Sequence, residues 1–415
     1  MLKFIILFFV FLGILIKNGK RKGWKTSSSW ILFIYVLSLA SAIPTLITDG
    51  FKEPFLDAYI VPSILFGIAL VLYLLPLISY DETFGESFTL PSIKILDTFS
   101  SILIVLSFFS IAFFLPSVNH IFTMADLGDA RNDLYAGTMY VEAGLSNTIA
   151  SVSASLYVFA IVLFFVYLII GNSKKRCVLL LLSSLSEIIH VLAYVGRDGV
   201  VFWIFSFVFI YLYFSPYLSS ETNKKIIKNG LIGIGILMIP FMLISIGRFA
   251  DSSDYDDTSS ALLSYLGQGP INAVLFYGID NPPMSNGSCF PLFWEVTGIT
   301  PPVSDGMVRI GEWRSWAFST FIVDYYRTFG FWGHYIVGLF LYFLFNLIIG
   351  NKRCGSFSSM IVYLLYFQVI SEGLFYFHHY TRGGNLFIVL CFILCFVFKM
   401  LEKDSNRIVL YKQNR

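Results

Sequence analysis

Long apolar runs alternate with short polar segments along the whole chain of 415 residues. A helix needs about 20 apolar residues to cross the hydrocarbon core of a bilayer, and about eleven runs approach that length. The runs are continuous and lack the strict alternation of a membrane β-barrel strand, which favours helices. The pattern predicts an all-α polytopic membrane protein with about eleven transmembrane helices. They are expected at residues 2–17, 29–48, 58–79, 95–118, 149–171, 177–195, 199–218, 230–247, 331–350, 356–376 and 385–401.

Composition excludes several other classes of protein. The chain is 57% hydrophobic and only 13% charged, against roughly 25% charged residues in an average soluble domain. A net charge of +2, scattered along the sequence, gives no basic surface for a nucleic acid. The five cysteines form no C-x-x-C pair, and no phosphate-binding loop or dinucleotide fingerprint is present. We therefore expect no disulfide framework, no metal cage and no soluble nucleotide chemistry.

The basic loop at residues 17–25 fixes the predicted orientation, because loops rich in Lys and Arg stay on the cytoplasmic side. A basic cluster rather than a cleavage site follows the first apolar run, so that run is read as a retained span. With an outside N-terminus, the inside loops hold 19 of the 28 basic residues. The nine outside are Lys3, Lys52 and seven arginines, namely Arg131, Arg197, Arg248, Arg309, Arg314, Arg327 and Arg382.

The preference for arginine outside is not explained by topology, since topology rules treat Lys and Arg alike. The planar guanidinium fork matches pairs of phosphate oxygens, which an ammonium group cannot do. For any single arginine, the alternatives are an interfacial side chain or a loop ion pair. All five histidines (His120, His190, His334, His378 and His379) also fall outside or in the outer part of a span. Titratable groups are thus concentrated on one face.

Two predicted outside loops, residues 119–148 and 248–330, are longer than a connection requires. The acidic run after Arg248 is read as a solvated helix start rather than a metal site. Residues 261–280 (ALLSYLGQGPINAVLFYGID) are apolar but interrupted by glycine and proline, which favours interfacial helices lying on the membrane. The remainder is rich in aromatic residues and arginine, as expected for a sugar-binding platform or for an aromatic belt.

Three short features project from span ends on the same side. The turn G-R-D-G (196–199) is predicted to reverse sharply at its glycines and to present Arg197 at the membrane surface. Glu187 and His190 lie three residues apart on one helix face and are expected to point into the bundle, in a structural or a functional contact. Glu372 precedes FYFHHYTRGG (375–384), which places His378, His379 and Arg382 in one outside turn.

Taken with the hydropathy of the whole chain, four segments resemble the Wzy-type O-antigen polymerases, which polymerise oligosaccharide repeat units. They are GRDG, GRFAD, YLGQGPINAVLFYG and VDYYRTFGFWGHYIVGLF. The resemblance implies a GT-C-like fold shared with the O-antigen ligases and a location in the bacterial inner membrane. The large outside loop and the outside N-terminus predicted from the charge count would then be periplasmic, and the C-terminus cytoplasmic. It also implies a metal-independent glycosyltransferase without a cofactor. The enzyme would transfer a growing glycan from undecaprenyl pyrophosphate to the non-reducing end of another lipid-linked repeat unit, in concert with a chain-length regulator and a flippase.

The family fixes no motif that assigns residues one by one, so the roles follow from chemistry and topology. Arginine contacts would stabilise the pyrophosphate leaving group, and a base would take the proton of the acceptor hydroxyl. The pyrophosphate candidates are Arg197, Arg248, Arg327 and Arg382; the catalytic candidates are His378, His379 and Glu372; and the secondary candidates are Glu187, His190, Asp324 and Arg314. Alternative functions are an O-antigen ligase, a lipid-linked-oligosaccharide flippase and an acyltransferase.

The charge count predicts an outside N-terminus and a cytoplasmic C-terminus. Reporter fusions after each span should show this alternation and should place residues 248–330 outside. A cytoplasmic reporter signal from that loop would contradict both the orientation and the choice of site.

Overall fold

The computed structural model describes residues 2–48, 60–80, 86–124, 141, 144–249, 258–285, 289–298, 309–310, 313–315, 318–349, 354–403 and 406–413. Within these ranges it does not describe the side chains of residues 47–48, 240, 243–249, 258–263, 309 and 354. The predicted loop 119–148 therefore lies largely outside the described residues, as does the acidic run 250–257.

Helices dominate the described residues. They are α1 (Leu2–Lys22), α2 (Ser27–Thr48), α3 (Ile60–Ser79), α4 (Ile93–Thr123), α5 (Leu145–Ser155), α6 (Tyr157–Ile170), α7 (Lys174–Ser183), α8 (Ser186–Leu192), α9 (Asp198–Phe214), α10 (Ser220–Phe249), α11 (Thr258–Tyr277), α12 (Pro291–Thr297), α13 (Thr320–Ile348), α14 (Phe357–Glu372) and α15 (Arg382–Leu401). Short strands are β1 (Ser87–Leu90), β2 (Arg309–Ile310), β3 (Trp313–Arg314), β4 (Cys354–Ser356) and β5 (Ile408–Tyr411). Two 3-10 turns cover Ser215–Tyr217 and His378–Tyr380.

Eight helices within the described residues are long and apolar enough to cross a membrane, so the chain is a multi-pass membrane protein. The other three predicted spans coincide with elements outside that set. Residues 177–195 fall on α7 and α8, which are separate short helices; 230–247 lie within α10; and 356–376 coincide largely with α14, of 16 residues. The count of eleven stays a prediction.

Cα packing divides the chain into two compact units. Unit 1 comprises Met1–Phe84, Ser253–Lys352 and Val362–Asn385, and unit 2 comprises Gly85–Ser252, Arg353–Ile361 and Leu386–Arg415. Each unit is built on its own set of helix contacts.

In unit 1, helix α11 packs against α2, α3 and α13. Residues 269–277 of this helix are buried, with Ile271 and Phe276 at 0% exposure, whereas its glycines and proline had suggested a helix lying on the surface. Gly267 explains the difference, because a Cβ there would lie 2.6 Å from the carbonyl oxygen of Ser41 on α2. In this helix glycine permits close backbone approach.

Helix α13 is broken at Gly330, whose φ of 80° lies in the left-handed region. The His334 side chain bonds to the backbone at the break: its Nδ1 lies 3.1 Å from the Gly330 carbonyl oxygen, and its Nε2 lies 2.6 Å from the Tyr277 hydroxyl. A carbonyl can only accept, so Nδ1 carries the proton and Nε2 accepts from Tyr277. The buried His334 is thus a structural histidine that stabilises the kink.

The connection between α1 and α2 is tied to the end of α3. Arg21 and Lys22 donate to the carbonyl of Ile78, and Lys22 also donates to that of Tyr80. Basic side chains commonly satisfy the last carbonyls of a helix in this way. The charge count predicted both segments on the inside, and these contacts place them on the same side.

In unit 2, helix α4 separates a buried stripe of small residues from an exposed apolar face. Ser100, Ser107 and Ser110 are buried where α4 packs against α5, α7 and α8. The exposed face carries Ile102 and Val105, at 53% and 68% exposure. Small residues at helix contacts with large apolar residues facing outward suit a helix in lipid.

Three segments that the topology places inside form a small sheet in unit 2, which the all-α prediction did not include. β1 pairs in parallel with β4 and antiparallel with β5. The central Phe88 is buried, and a Cβ on Gly355 would lie 2.9 Å from its ring. Because open strands do not cross a bilayer, the three segments lie on one side of the membrane.

Glu402, just beyond α15, caps the start of α14. Its carboxylate accepts from the backbone amide and the hydroxyl of Ser358, both at 2.7 Å. Burial raises the pKa of the Glu402 carboxyl, and the bonds from Ser358 oppose that rise. A carboxylate at a helix N-terminus also interacts favourably with the helix dipole.

Replacing Glu402 with Ala should lower the free energy of unfolding by about 1–3 kcal/mol, because two buried donors of Ser358 lose their acceptor. Thermal unfolding of the purified protein measures this. Glu221→Ala is the matched control, since that carboxylate pairs with Lys225 in an exposed position and its loss should change nothing measurable. Equal effects of the two substitutions would contradict the capping role.

Candidate functional site

The predicted histidines lie on a turn at residues 378–382, called here the histidine turn. Within unit 1, the chain leading into this turn is anchored on the first turn of α13. The amide of Phe321 donates to the carbonyl of Gly373 at 2.8 Å, and the amide of Thr320 to that of Phe375 at 3.1 Å. The amide of Phe377 in turn donates to Asp324 Oδ2 at 2.7 Å. Asp324, a secondary candidate from the sequence, therefore holds the residue immediately before His378.

Asn385 anchors the other end of the turn. Its Nδ2 donates to the carbonyls of His379, at 2.7 Å, and Cys289, at 3.0 Å, while its Oδ1 accepts from the amide of Leu292. Gly384 allows this closure, because a Cβ there would lie 2.6 Å from the Cα of His379. The side chain of Asn385 thus joins the histidine turn to the segment that leads into α12.

The three catalytic candidates differ sharply in access to solvent. Glu372 and His379 are both 1% exposed. His378 is partly exposed, with Nδ1 3.4 Å from the Tyr376 hydroxyl. Among these three, only His378 has a side chain that is partly open to solvent.

Two of the arginines predicted to bind pyrophosphate lie in this unit in different surroundings. Arg382 is 69% exposed and its Nε lies 2.5 Å from Glu295 Oε1 on α12. Arg327 donates from Nε to the carbonyl of Pro283 at 3.3 Å, and its Cζ lies 5.7 Å from the Trp313 ring centroid. Arg382 is therefore open to a ligand, whereas Arg327 is held by protein groups.

The secondary candidate Arg314 lies on the short β2–β3 hairpin, paired with Arg309. Both backbone groups of Arg314 are bonded to the side chain of Asn272, and its own side chain is exposed. Arg248 belongs to the last turn of α10, but its side chain lies outside the described residues.

Unit 2 contains the other predicted pair. Glu187 Oε2 lies 3.3 Å from His190 Nδ1, so the contact expected from their spacing is present. The Glu187 side chain is 1% exposed and that of His190 17%. This is a histidine oriented by a carboxylate, an arrangement that leaves Nε2 as the second ring nitrogen for chemistry.

The G-R-D-G turn differs from its prediction. Gly196 and Gly199 do not adopt positive φ, which occurs instead at Val195, with φ 54°. The two glycines make room for Val191, whose atoms would lie 2.5 and 2.8 Å from added Cβ atoms. Arg197 is only 4% exposed, with Cζ 5.7 Å from the Phe241 ring centroid, so it is buried in unit 2 rather than presented at the surface.

Comparison with known proteins leaves the family open. No family model, curated protein or solved structure matches the chain. The resemblance to O-antigen polymerases therefore rests on the four segments and the hydropathy pattern quoted above.

Sequence reasoning missed Asn385, Glu295 and Cys289, which complete the surroundings of the histidine turn. Asn385 does have a local sequence feature that marks it: in T-R-G-G-N (381–385) an amide side chain directly follows two glycines at the start of a helix. Glu295 and Cys289 lie about a hundred residues away in sequence and carry no such local signal.

Substituting Asn385 with Asp should loosen the turn, because aspartate keeps the acceptor for Leu292 but cannot donate to His379 or Cys289. The expected loss is about 1–3 kcal/mol of unfolding free energy. It should be accompanied by faster reaction of the buried Cys289 with a membrane-impermeant maleimide.

Asn223→Asp provides the matched control. Asn223 in unit 2 also donates from Nδ2 to two carbonyls, those of Ser215 and Leu218. This variant should lower the unfolding temperature while leaving Cys289 protected. Protection of Cys289 in Asn385→Asp would show that the amide does not tether the turn.

Proposed function

We propose that the chain is an O-antigen polymerase, a glycosyltransferase of the bacterial inner membrane. It would transfer a growing glycan from undecaprenyl pyrophosphate to the non-reducing end of a lipid-linked repeat unit at the periplasmic face. The observation that carries the proposal is the anchored turn at residues 378–382, which holds a part-exposed histidine and a strongly exposed arginine four residues apart in the chain.

The chemistry assigned to this turn balances without a metal. The acceptor hydroxyl oxygen attacks the anomeric carbon of the donor glycan as the bond from that carbon to the pyrophosphate oxygen breaks. His378 takes the hydroxyl proton, and the electron pair leaves on the pyrophosphate. Arg382 stabilises the negative charge that develops there. For this contact its guanidinium exchanges Glu295 for phosphate oxygens.

The other candidates receive supporting roles in the proposal. Arg327 lies three residues after Asp324 on α13 and contributes positive charge close to the same segment. Glu372 and His379 are buried and are assigned to the support of the turn. Glu187, His190 and Arg197 belong to unit 2, where the carboxylate-oriented His190 is the second base to test.

Deleting the gene and separating the surface polysaccharide on a gel tests the reaction class. A polymerase mutant should retain a single repeat on its acceptor. Unsubstituted core with lipid-linked polymer left over would indicate a ligase instead, and accumulation of repeat units facing the cytoplasm would indicate a flippase.

The guanidinium role is tested by replacing Arg197, Arg248, Arg327 and Arg382 with Lys and with Ala. We expect Arg382→Lys to lose polymer nearly as completely as Arg382→Ala, because lysine keeps the charge but not the planar fork. Polymer length and amount are measured after normalisation for membrane expression. His378→Ala should abolish polymer at unchanged protein level.

Arg21→Lys is the control, since Arg21 only donates to a backbone carbonyl at an exposed position on the predicted cytoplasmic side. It should polymerise normally. If all four outside Lys variants also polymerise normally, no pyrophosphate clamp exists and the arginine enrichment has another cause.

A further inference from the structure

A buried polar face at the end of α14 has no part in the proposed reaction. Gln368, Ser371 and Glu372 occupy positions i, i+3 and i+4, which share one face of a helix. All three are at most 1% exposed. Gln368 Nε2 donates to Glu372 Oε1 at 3.3 Å, which confirms that these two side chains meet.

Oxygen atoms on this face lack partners among the described residues. Gln368 Oε1 and Ser371 Oγ are buried and accept or donate no hydrogen bond there. Serine hydroxyls inside helices usually bond to a carbonyl one turn earlier, and Ser371 does not. A buried polar atom without a partner is costly, so its presence points to a bound species that supplies the contact.

Thr320 adds a further oxygen and a sign of strain. Its Oγ1 is buried and also without a partner among the described residues. Its φ of 68° is unfavourable for a β-branched residue, and such strain is concentrated at functional positions. The bonds from Thr320 and Phe321 to the carbonyls of Phe375 and Gly373 hold this residue beside the end of α14.

The charge and the atom types favour a small cation. The set consists only of oxygen atoms, which are the ligands of hard cations. As a carboxylate, Glu372 would supply one negative charge, and the C-terminal end of α14 adds the negative pole of the helix dipole. The N-terminal amides of α13 are directed to the carbonyls of Gly373 and Phe375, so they do not offer an anion site. One carboxylate matches a monovalent ion better than a divalent one.

We propose that Gln368, Ser371, Glu372 and Thr320 form a buried site for one sodium ion in unit 1. The site is independent of the proposed glycosyl transfer and goes beyond the expectation of a metal-free chain. By occupying it, sodium would stabilise the end of α14 and the first turn of α13, which anchors the histidine turn.

Purified full-length protein in nanodiscs tests the site without any assay of activity. Thermal unfolding is followed in sodium, potassium and choline chloride at equal ionic strength, and binding of radioactive sodium is measured on the same preparation. We expect sodium alone to raise the unfolding temperature by a few degrees, with saturable binding of one ion per chain. Both effects should disappear in Ser371→Ala.

Ser110→Ala is the matched control, because Ser110 in unit 2 is equally buried and its hydroxyl also lacks a partner among the described residues. It should keep the sodium effect. If Ser371→Ala fails to fold in choline chloride, Gln368→Met removes a different ligand and serves in its place. Equal unfolding temperatures in the three salts would overturn the proposal. So would a sodium effect that survives both Ser371→Ala and Gln368→Met, and the buried oxygens would then be assigned to bound water.

Discussion

Backbone groups that leave a helix at membrane depth must find partners within the protein, because lipid offers none. The segment between α14 and the histidine turn meets this requirement through α13. Carbonyls of Gly373 and Phe375 accept amides from the start of α13, and the amide of Phe377 donates to Asp324. These hydrogen bonds determine where the histidine turn lies, and they offset the strain of the positive φ of Thr320.

The same constraint divides the residues around the turn by role. Side chains that complete backbone bonding are buried and well bonded, as Asn385 shows. Side chains available for chemistry are attached to this support but remain accessible, as with His378 and Arg382. An exposed ion pair such as Arg382–Glu295 contributes only about 0–1 kcal/mol, so exchanging Glu295 for an anionic ligand costs little. In the proposed function, a rigid support combined with a weakly held arginine would suit the binding and release of a charged lipid.

The sequence predicted features whose signal is local. Apolar runs gave most helices, and the spacing of Glu187 and His190 gave their contact, because a helix fixes which neighbours meet. The β4–β1–β5 sheet was missed, since strands of three or four residues whose partners lie hundreds of residues away have no periodic signal. Helix α11 was misjudged because glycine serves equally well to break a helix and to admit a close neighbour; only the approach of Ser41 to Gly267 distinguishes these uses. Asn385 was missed for a related reason, as its importance depends on a carbonyl 96 residues away.

The arginines predicted to lie outside the membrane are used in several different ways in the structure. Their number suggested phosphate binding, because the guanidinium fork matches phosphate oxygens. Yet Arg197 and Arg327 use the flat guanidinium group over aromatic rings, and Arg327 also donates to a backbone carbonyl. These uses also favour arginine over lysine, since lysine neither stacks nor presents directed in-plane donors. Among the pyrophosphate candidates with described side chains, Arg382 alone combines strong exposure with a carboxylate partner that an anion can displace. The phosphate hypothesis therefore depends far more on this one residue than on the size of the set.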